Sequence, residues 1–279
     1  MKKQVSLGPV SFTGLAAMFA AIPMMATFAA PAAQAKPWIT SADGVEVNWA
    51  NLTARFEGAA TSSPSLRDGL KGLERTAWRN GYEKAVPVLD RILRDQYAAL
   101  GMQGQWQESG DEALANSRDQ VKKSVKSLNA TFFSSGSIEV SMEATLQAGF
   151  ANALKRAGAG GGAGGQAGAT GGLVLNLPAS AGSSIQPSIA FWVVDSSDKV
   201  LFEPGKASGT ALAKGSMGRW FRGAESQELP VIVGENPESI KVTEIRKGNR
   251  LVVDPSQFAA LREDTLRALA GGRVALVVR

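Results

Sequence analysis

The sequence predicts an α+β protein of two small domains, each an antiparallel or mixed sheet with helices packed on it, joined by a Gly-rich linker. Three observations carry that prediction. Apolar and polar residues alternate with a period of two before residue 157, short apolar strands follow it, and helical stripes separate the extended segments on both sides. Residues 157–172 read AGAGGGAGGQAGATGG, a run without apolar periodicity. At 279 residues, 44% hydrophobic and 20% charged, the chain can fill the cores of two ordinary domains. The expected divisions are a signal peptide over 1–35, an N-terminal α+β domain over 36–156, the linker over 157–172 and a C-terminal α+β domain over 173–279.

The first segment reads as a leader. Lys2 and Lys3 precede an apolar stretch that ends in Ala33-Gln34-Ala35, the small-x-small form cut by signal peptidase. Pro9 and Pro23 interrupt that stretch, which favours a cleaved leader over a membrane anchor. Cleavage after Ala35 would place the mature chain in the periplasm, starting at Lys36.

Trp38 to Phe56 is extended. Val45, Val47 and Trp49 alternate in one phase and Leu52, Ala54 and Phe56 in the other, so a turn or bulge is expected near Ala50-Asn51. Ser63-Pro64 then offers an N-cap with Pro at the first helical position. Leu66, Leu70, Leu73, Ala77, Leu89, Leu93, Tyr97 and Leu100 form one buried stripe, interrupted by Gly81 and Pro87, with a kink or break expected at Pro87. A second helix is expected over 111–127. Leu128 to Phe133 and Ile138 to Leu146 read as a hairpin with one wet face.

After the glycine run, strands are expected at 173–177, 189–194, 200–203, 231–233, 240–245, 251–253 and 274–278. Ile189 to Val194 is continuously apolar and reads as a central strand. Asp254-Pro255 caps a helix with the stripe Phe258, Leu261, Thr265, Leu266 and Leu269, ended by Gly271-Gly272.

The chain contains no cysteine and no histidine. Disulfides, thiolate nucleophiles and a lipidated N-terminal Cys are thereby excluded, along with the usual general base and commonest zinc ligand. No cofactor or metal is expected. The formal charge of +5 falls to +3 without Lys2 and Lys3. Its densest group, Lys122, Lys123 and Lys126, reads as a solvated helix face rather than a nucleic-acid patch.

Gly160, Gly162 and Gly165 match G-x-G-x-x-G, but the run follows a helix end and precedes a strand, the reverse of a dinucleotide fold. A hinge is the better reading, and a 16-residue flexible coil would span about 20–24 Å. Ser196-Ser197-Asp198-Lys199 and Lys214-Gly215-Ser216 are formal Ser/Lys matches without their helix or the intervening S-D-N. Adjacent Glu263 and Asp264 point in different directions on a helix. Trp49, Trp78 and Trp192 sit at core-compatible positions. Trp220-Phe221, between Arg219 and Arg222, is more exposed by context and is the candidate partner-binding edge, although a satellite core is the favoured reading of the pair.

Val47-Asn48-Trp49 through Thr53 to Gly58, the helix Leu73 to Asn80 and the hairpin Ser135 to Glu143 together resemble a bacterial envelope family. It comprises the FlgP-type outer-membrane lipoproteins and the N-terminal part of the flagellar protein FlgT. Gly172 to Asn176, Ile189 to Lys199, Asn236 to Val242 and Gly272 to Val278 resemble the extension of longer relatives. The resemblance implies a structural role in the periplasm, at the outer membrane or flagellar basal body, and no catalytic residues. The chain departs from the lipoproteins in lacking the lipobox Cys, so membrane contact would run through partners. The expected function is a non-enzymatic assembly component, self-associating or bound to other envelope or flagellar proteins and not to nucleic acid. The alternative is a glycan or small-molecule binding module using the inter-domain cleft.

Overall fold

The computed structural model describes residues 36–61, 69–100, 103–156, 158, 171–180, 185–223, 229–234 and 236–278. The leader, the cap at Ser63-Pro64, Leu66 and the fingerprint glycines of the 157–172 run lie outside the described residues.

Two-residue strand β1 (Lys36–Pro37) leads into β2 (Ile39–Ala42) and β3 (Val45–Asn48), which form a hairpin. Its two-residue loop, Asp43-Gly44, has φ of 49° and 79°, the positive pair that matches the twist of the flanking strands. The chain turns again over 49–52, where the sequence changes phase, and enters β4 (Thr53–Thr61). Helix α1 (Gly69–Ala99) and helix α2 (Gln103–Ser124) follow, then β5 (Lys126–Phe132), β6 (Ser137–Thr145) and α3 (Gln147–Arg156). The strands make an antiparallel sheet in the order β2-β3-β4-β6-β5. Alternation holds along β4 and β6: Ala54, Phe56, Ile138, Val140 and Met142 are buried, whereas Arg55, Glu57 and Glu139 face water.

Helix α1 is continuous through Gly81 and Pro87, so the break, one of the two outcomes expected at Pro87, does not occur. Pro87 is exposed and only loses one donor, while Ala85, Val88, Leu89 and Leu93 hold both sides of it on the sheet. Gly81 is a contact point. A Cβ there would lie 2.7 Å from Gly58 Cα, and one on Gly58 would lie 2.0 Å from the Ala77 carbonyl oxygen. Helix and strand touch backbone to backbone, and only glycine allows it. Leu70, placed on the stripe by its spacing, is 66% exposed. Helix α2 begins earlier and ends sooner than 111–127, so Lys126 belongs to β5 and pairs with Glu143.

The second half adds β7 (Leu173–Leu177), β8 (Trp192–Val194), β9 (Val200–Phe202), α4 (Gly209–Lys214), β10 (Arg219–Arg222) and α5 (Leu229–Val233). It closes with β11 (Glu238–Arg246), β12 (Arg250–Val253), α6 (Pro255–Ala259), α7 (Glu263–Ala270) and β13 (Val274–Val278). These strands and β1 form a mixed sheet in the order β1-β10-β13-β7-β11-β12-β8-β9. Its centre, β10-β13-β7-β11, is parallel. All five residues of β13 are buried, as a parallel strand covered on both faces requires.

Three expectations change here. Residues 231–233 are the end of α5 and not a strand, and Val231 is 85% exposed. Ile189, Ala190 and Phe191 are buried, but only 192–194 enter the ladder, because the Ile189 main chain bonds Gln96 and Met217 instead. The terminal helix is two helices. Asp254 caps α6 by accepting from the Ser256 amide, and Arg262 is extended (ψ 151°) before α7 starts on Glu263 and Asp264.

The α+β class is as expected, but the division into two domains is not confirmed. Residues 33–279 form one compact unit, and one cluster of buried side chains runs from Trp38 to Val278. Strand β1 belongs to the second sheet although it precedes the first, pairing Lys36 with Arg222 and Pro37 with Phe221. Gly215, with φ 63°, would place a Cβ 2.3 Å from the Gln147 carbonyl oxygen of α3. The described end of the glycine run is also packed, since a Cβ on Gly172 would meet Arg273 O at 2.6 Å and Val233 Cα at 2.7 Å.

Candidate functional site

The candidate partner-binding edge Arg219, Trp220, Phe221 and Arg222 is strand β10, whose aromatics are not exposed: the core reading favoured for them holds and the exposed edge does not. Trp220 and Phe221 are both 0% exposed. A strand in mid-sheet, between β1 and β13, buries both faces. Trp220 donates its indole N–H to Ser188 O at 2.7 Å and meets Trp38 edge to face, with ring centres 5.8 Å apart. Phe221 packs on the other side with Ala50, Val233, Ala275 and Val277. The Arg222 guanidinium lies 4.3 Å from the Trp38 ring centre. Arg219 donates to the Lys214 carbonyl at 3.0 Å, capping the C-terminus of α4, and burial pushes its guanidinium down to about 10.

The Ser/Lys matches are also spent on structure. Asp195 accepts from the Ser197 and Lys199 amides at 2.9 and 3.0 Å, so Ser196 and Lys199 sit in an exposed Asx turn between β8 and β9. Ser216 is buried, accepting from the Gly218 amide at 3.1 Å and donating to main-chain carbonyls. Lys214 donates to Gly271 O at 3.1 Å, and burial, then the charges of Arg273 and Arg219, lower its pKa. Among the described residues these four side chains do not bond one another. Glu263 pairs with Arg267, whereas Asp264 lies 3.5 Å from Arg262. Among the described residues no group of three potential metal ligands occurs.

What the fold does build is a groove where the first sheet meets the second. One hollow of about 430 Å³ lies between α1 and the β2–β3 hairpin. Its floor is apolar, from Val45, Val47, Trp49, Val88 and Ile92. Its rim is polar, from Thr40, Ser41, Arg91, Asp95 and Gln96, with Pro187 across. Trp49 is fixed by donating its indole N–H to Thr40 Oγ1 at 2.9 Å and by stacking on Phe150 at 6.1 Å. A second hollow of about 660 Å³ shares Asp95, Gln96, Gln186 and Pro187 and continues to the turn Lys247-Gly248-Asn249.

Gln96 sets the geometry of this seam. It is 4% exposed, donates through Nε2 to Pro187 O at 3.1 Å and accepts from the Ile189 amide through Oε1 at 2.8 Å. One side chain thus satisfies two main-chain groups of the opposite wall, as a neighbouring strand would. Arg91 pairs with Asp43 across the hairpin mouth at 3.3 Å. Asp95 makes no ion pair or hydrogen bond with any described residue. Burial raises its pKa, against the lowering charge of Arg91.

The sequence reading missed Arg91, Asp95 and Gln96. One signal was present: Gln96 is a polar residue among Leu89, Leu93 and Leu100 on an otherwise apolar stripe. No protein-family model matches the chain, and no curated protein matches it.

Proposed function

We propose that this chain is a non-enzymatic periplasmic protein of the bacterial cell envelope, exported by its N-terminal segment and assembling with other envelope or flagellar proteins at the outer membrane or basal body. The observation that carries this reading is the absence of both His and Cys from 279 residues. Exported chemistry at neutral pH leans on those two side chains for bases, nucleophiles and metals. The commitment of Ser216, Lys214 and Arg219 to main-chain carbonyls supports the same reading. Membrane contact would run through partners, the assembly would join other envelope proteins or further copies of this chain, and nucleic acid is not a partner. Deletion of the gene, with swimming and envelope integrity measured, tests it. Loss of either is expected, and a deletion strain with normal motility and an intact envelope overturns it.

The glycan or small-molecule reading moves from Trp220 to the groove beside Gln96, whose apolar floor and polar rim favour it as the second candidate. A thermal-shift screen against cell-wall fragments and nucleotides discriminates, because a specific ligand raises Tm by mass action.

A further inference from the structure

The two sheets present four edge strands, and three of them carry features that block pairing. Strand β1 has two residues, one of them Pro37. Strand β9 has three. Strand β5 is longer but opens with Lys126 and is interrupted by a bulge between Ser127 and Asn129. Short length, Pro, Lys and bulges are the devices by which proteins protect free edges.

Strand β2, Ile39-Thr40-Ser41-Ala42, is also short at four residues but has no Pro, Lys or bulge. It carries no charge, and its register with β3 is regular from Ile39–Asn48 to Ala42–Val45. In a hairpin with a two-residue loop, the residues flanking the loop exchange both ladder bonds, and bonded pairs then alternate. Ala42 and Thr40 therefore bond to β3. The same phase continues to Trp38, whose carbonyl accepts from the Trp49 amide at 2.9 Å. The amides and carbonyls of Ile39 and Ser41 consequently point away from the sheet. Thr40 and Ala42 share the face of Val47 and Val45, which looks at α1 across the 430 Å³ hollow.

We propose that this groove binds an extended peptide segment of a partner protein, which adds to the sheet beside β2 and sets a Lys or Arg against Asp95. Main-chain bonds to Ile39 and Ser41 would hold the segment, and one side chain would enter the apolar slot over Val47, Val88 and Ile92. Side chains on one face of a strand recur about every 6.8 Å, so a second one of that row would enter the same hollow, which Asp95 also lines. A cation is called for because the carboxylate lines the hollow and makes no ion pair with any described residue. The nearby Arg91 and Arg246 are already paired, with Asp43 and with Glu244 and Asp198, and Lys247 stands in the neighbouring hollow beyond Pro187. This inference deepens the assembly reading and rests on it for the existence of a protein partner.

The test uses the purified full chain and a phage library of random twelve-residue peptides, selected in parallel against wild type and Asp95→Lys. Asp95 is on the surface, so the variant keeps its fold, as circular dichroism verifies. Sequences with alternating apolar residues and a Lys or Arg are expected for wild type alone. A synthetic copy of an enriched peptide should bind Asp95→Lys at least ten-fold more weakly, as should its analogue N-methylated on alternate residues. Amide shifts should concentrate at 39–42 and 88–96. Absence of enrichment, equal binding to Asp95→Lys, or shifts centred on β5 or β9 would each overturn the proposal. The phage and shift data report on the groove alone and the deletion phenotype on the cellular role, so either can fail without the other.

Discussion

The two sheets contribute to one core but are assembled in opposite ways. The first is antiparallel, with its hairpins β2–β3 and β5–β6 closed by near neighbours in sequence and with one face in water. The second draws parallel neighbours from far apart, setting β7 beside β13 and β10 beside β13, with both faces covered. Alternation and turn residues specify the first kind of sheet locally. The second depends on packing, and its boundary residues take whatever bonds the assembled core offers. The first sheet should therefore fail at points of close approach, and the second should fail at the seam that joins it to α1.

The largest effect is expected at Gly58. A Cβ 2.0 Å from the Ala77 carbonyl oxygen cannot be absorbed by a side-chain rotation, so α1 must lift from β4. Gly58→Ala should lose more than about 3 kcal/mol in urea unfolding. Next comes the seam. Gln96→Ala strands the Ile189 amide without a partner, and about 2 kcal/mol should be lost, with faster hydrogen exchange at 187–191. Pro87→Ala works in the other direction. Restoring a donor to the Glu83 carbonyl should raise stability by about 1–2 kcal/mol, less the gain in unfolded-state freedom.

Acid should act through the wet face of the first sheet. Burial pushes Glu143 up, but hydrogen bonds from Arg55 at 2.9 Å and from Lys126, with their charges, outweigh it and leave the carboxyl below its ordinary 4.5. A depressed folded pKa means that this contribution is complete above 4.5 and disappears as pH falls through the folded value. Its partners Arg55 and Lys126 are largely exposed and screened by solvent, so Glu143→Gln should remove only about 1 kcal/mol at pH 7 and flatten the loss below pH 4.5. The smallest effect is expected at Arg219. Arg219→Met gives up a helix cap but relieves a buried cation, and stability should change by less than about 1 kcal/mol.

The same contrast decides what could be read in advance. The strands around Phe56 and Met142, the cap at Asp254 and the terminal strand Val274–Val278 follow from period, turn chemistry and apolar runs. Pro87 misled because local propensity argues for a break, whereas the sheet beneath α1 holds the helix through it. The flanking arginines made an exposed edge of Trp220-Phe221 the candidate beside the favoured core, and the core holds because Arg222 lies on Trp38 and Arg219 turns back to cap α4. Val231 and Ile232 have strand composition, yet they lie in a one-turn helix covering the face that holds Phe221 and Val277. The groove was the least legible, because its walls come from residues 40–49, 88–96 and 186–187, and only the assembled seam brings them together. Of its rim, Gln96 alone stood out of pattern.

The central claim is that residues 36–278 behave as one cooperative unit although they contain two sheets. Hydrogen exchange in increasing urea, read separately on peptides from β4 and β6 and on peptides from β7 and β13, tests it most directly. A single shared midpoint for both sets, moved equally by Gly58→Ala, is the predicted result. Two separate midpoints, with only the first sheet responding to that substitution, would contradict it.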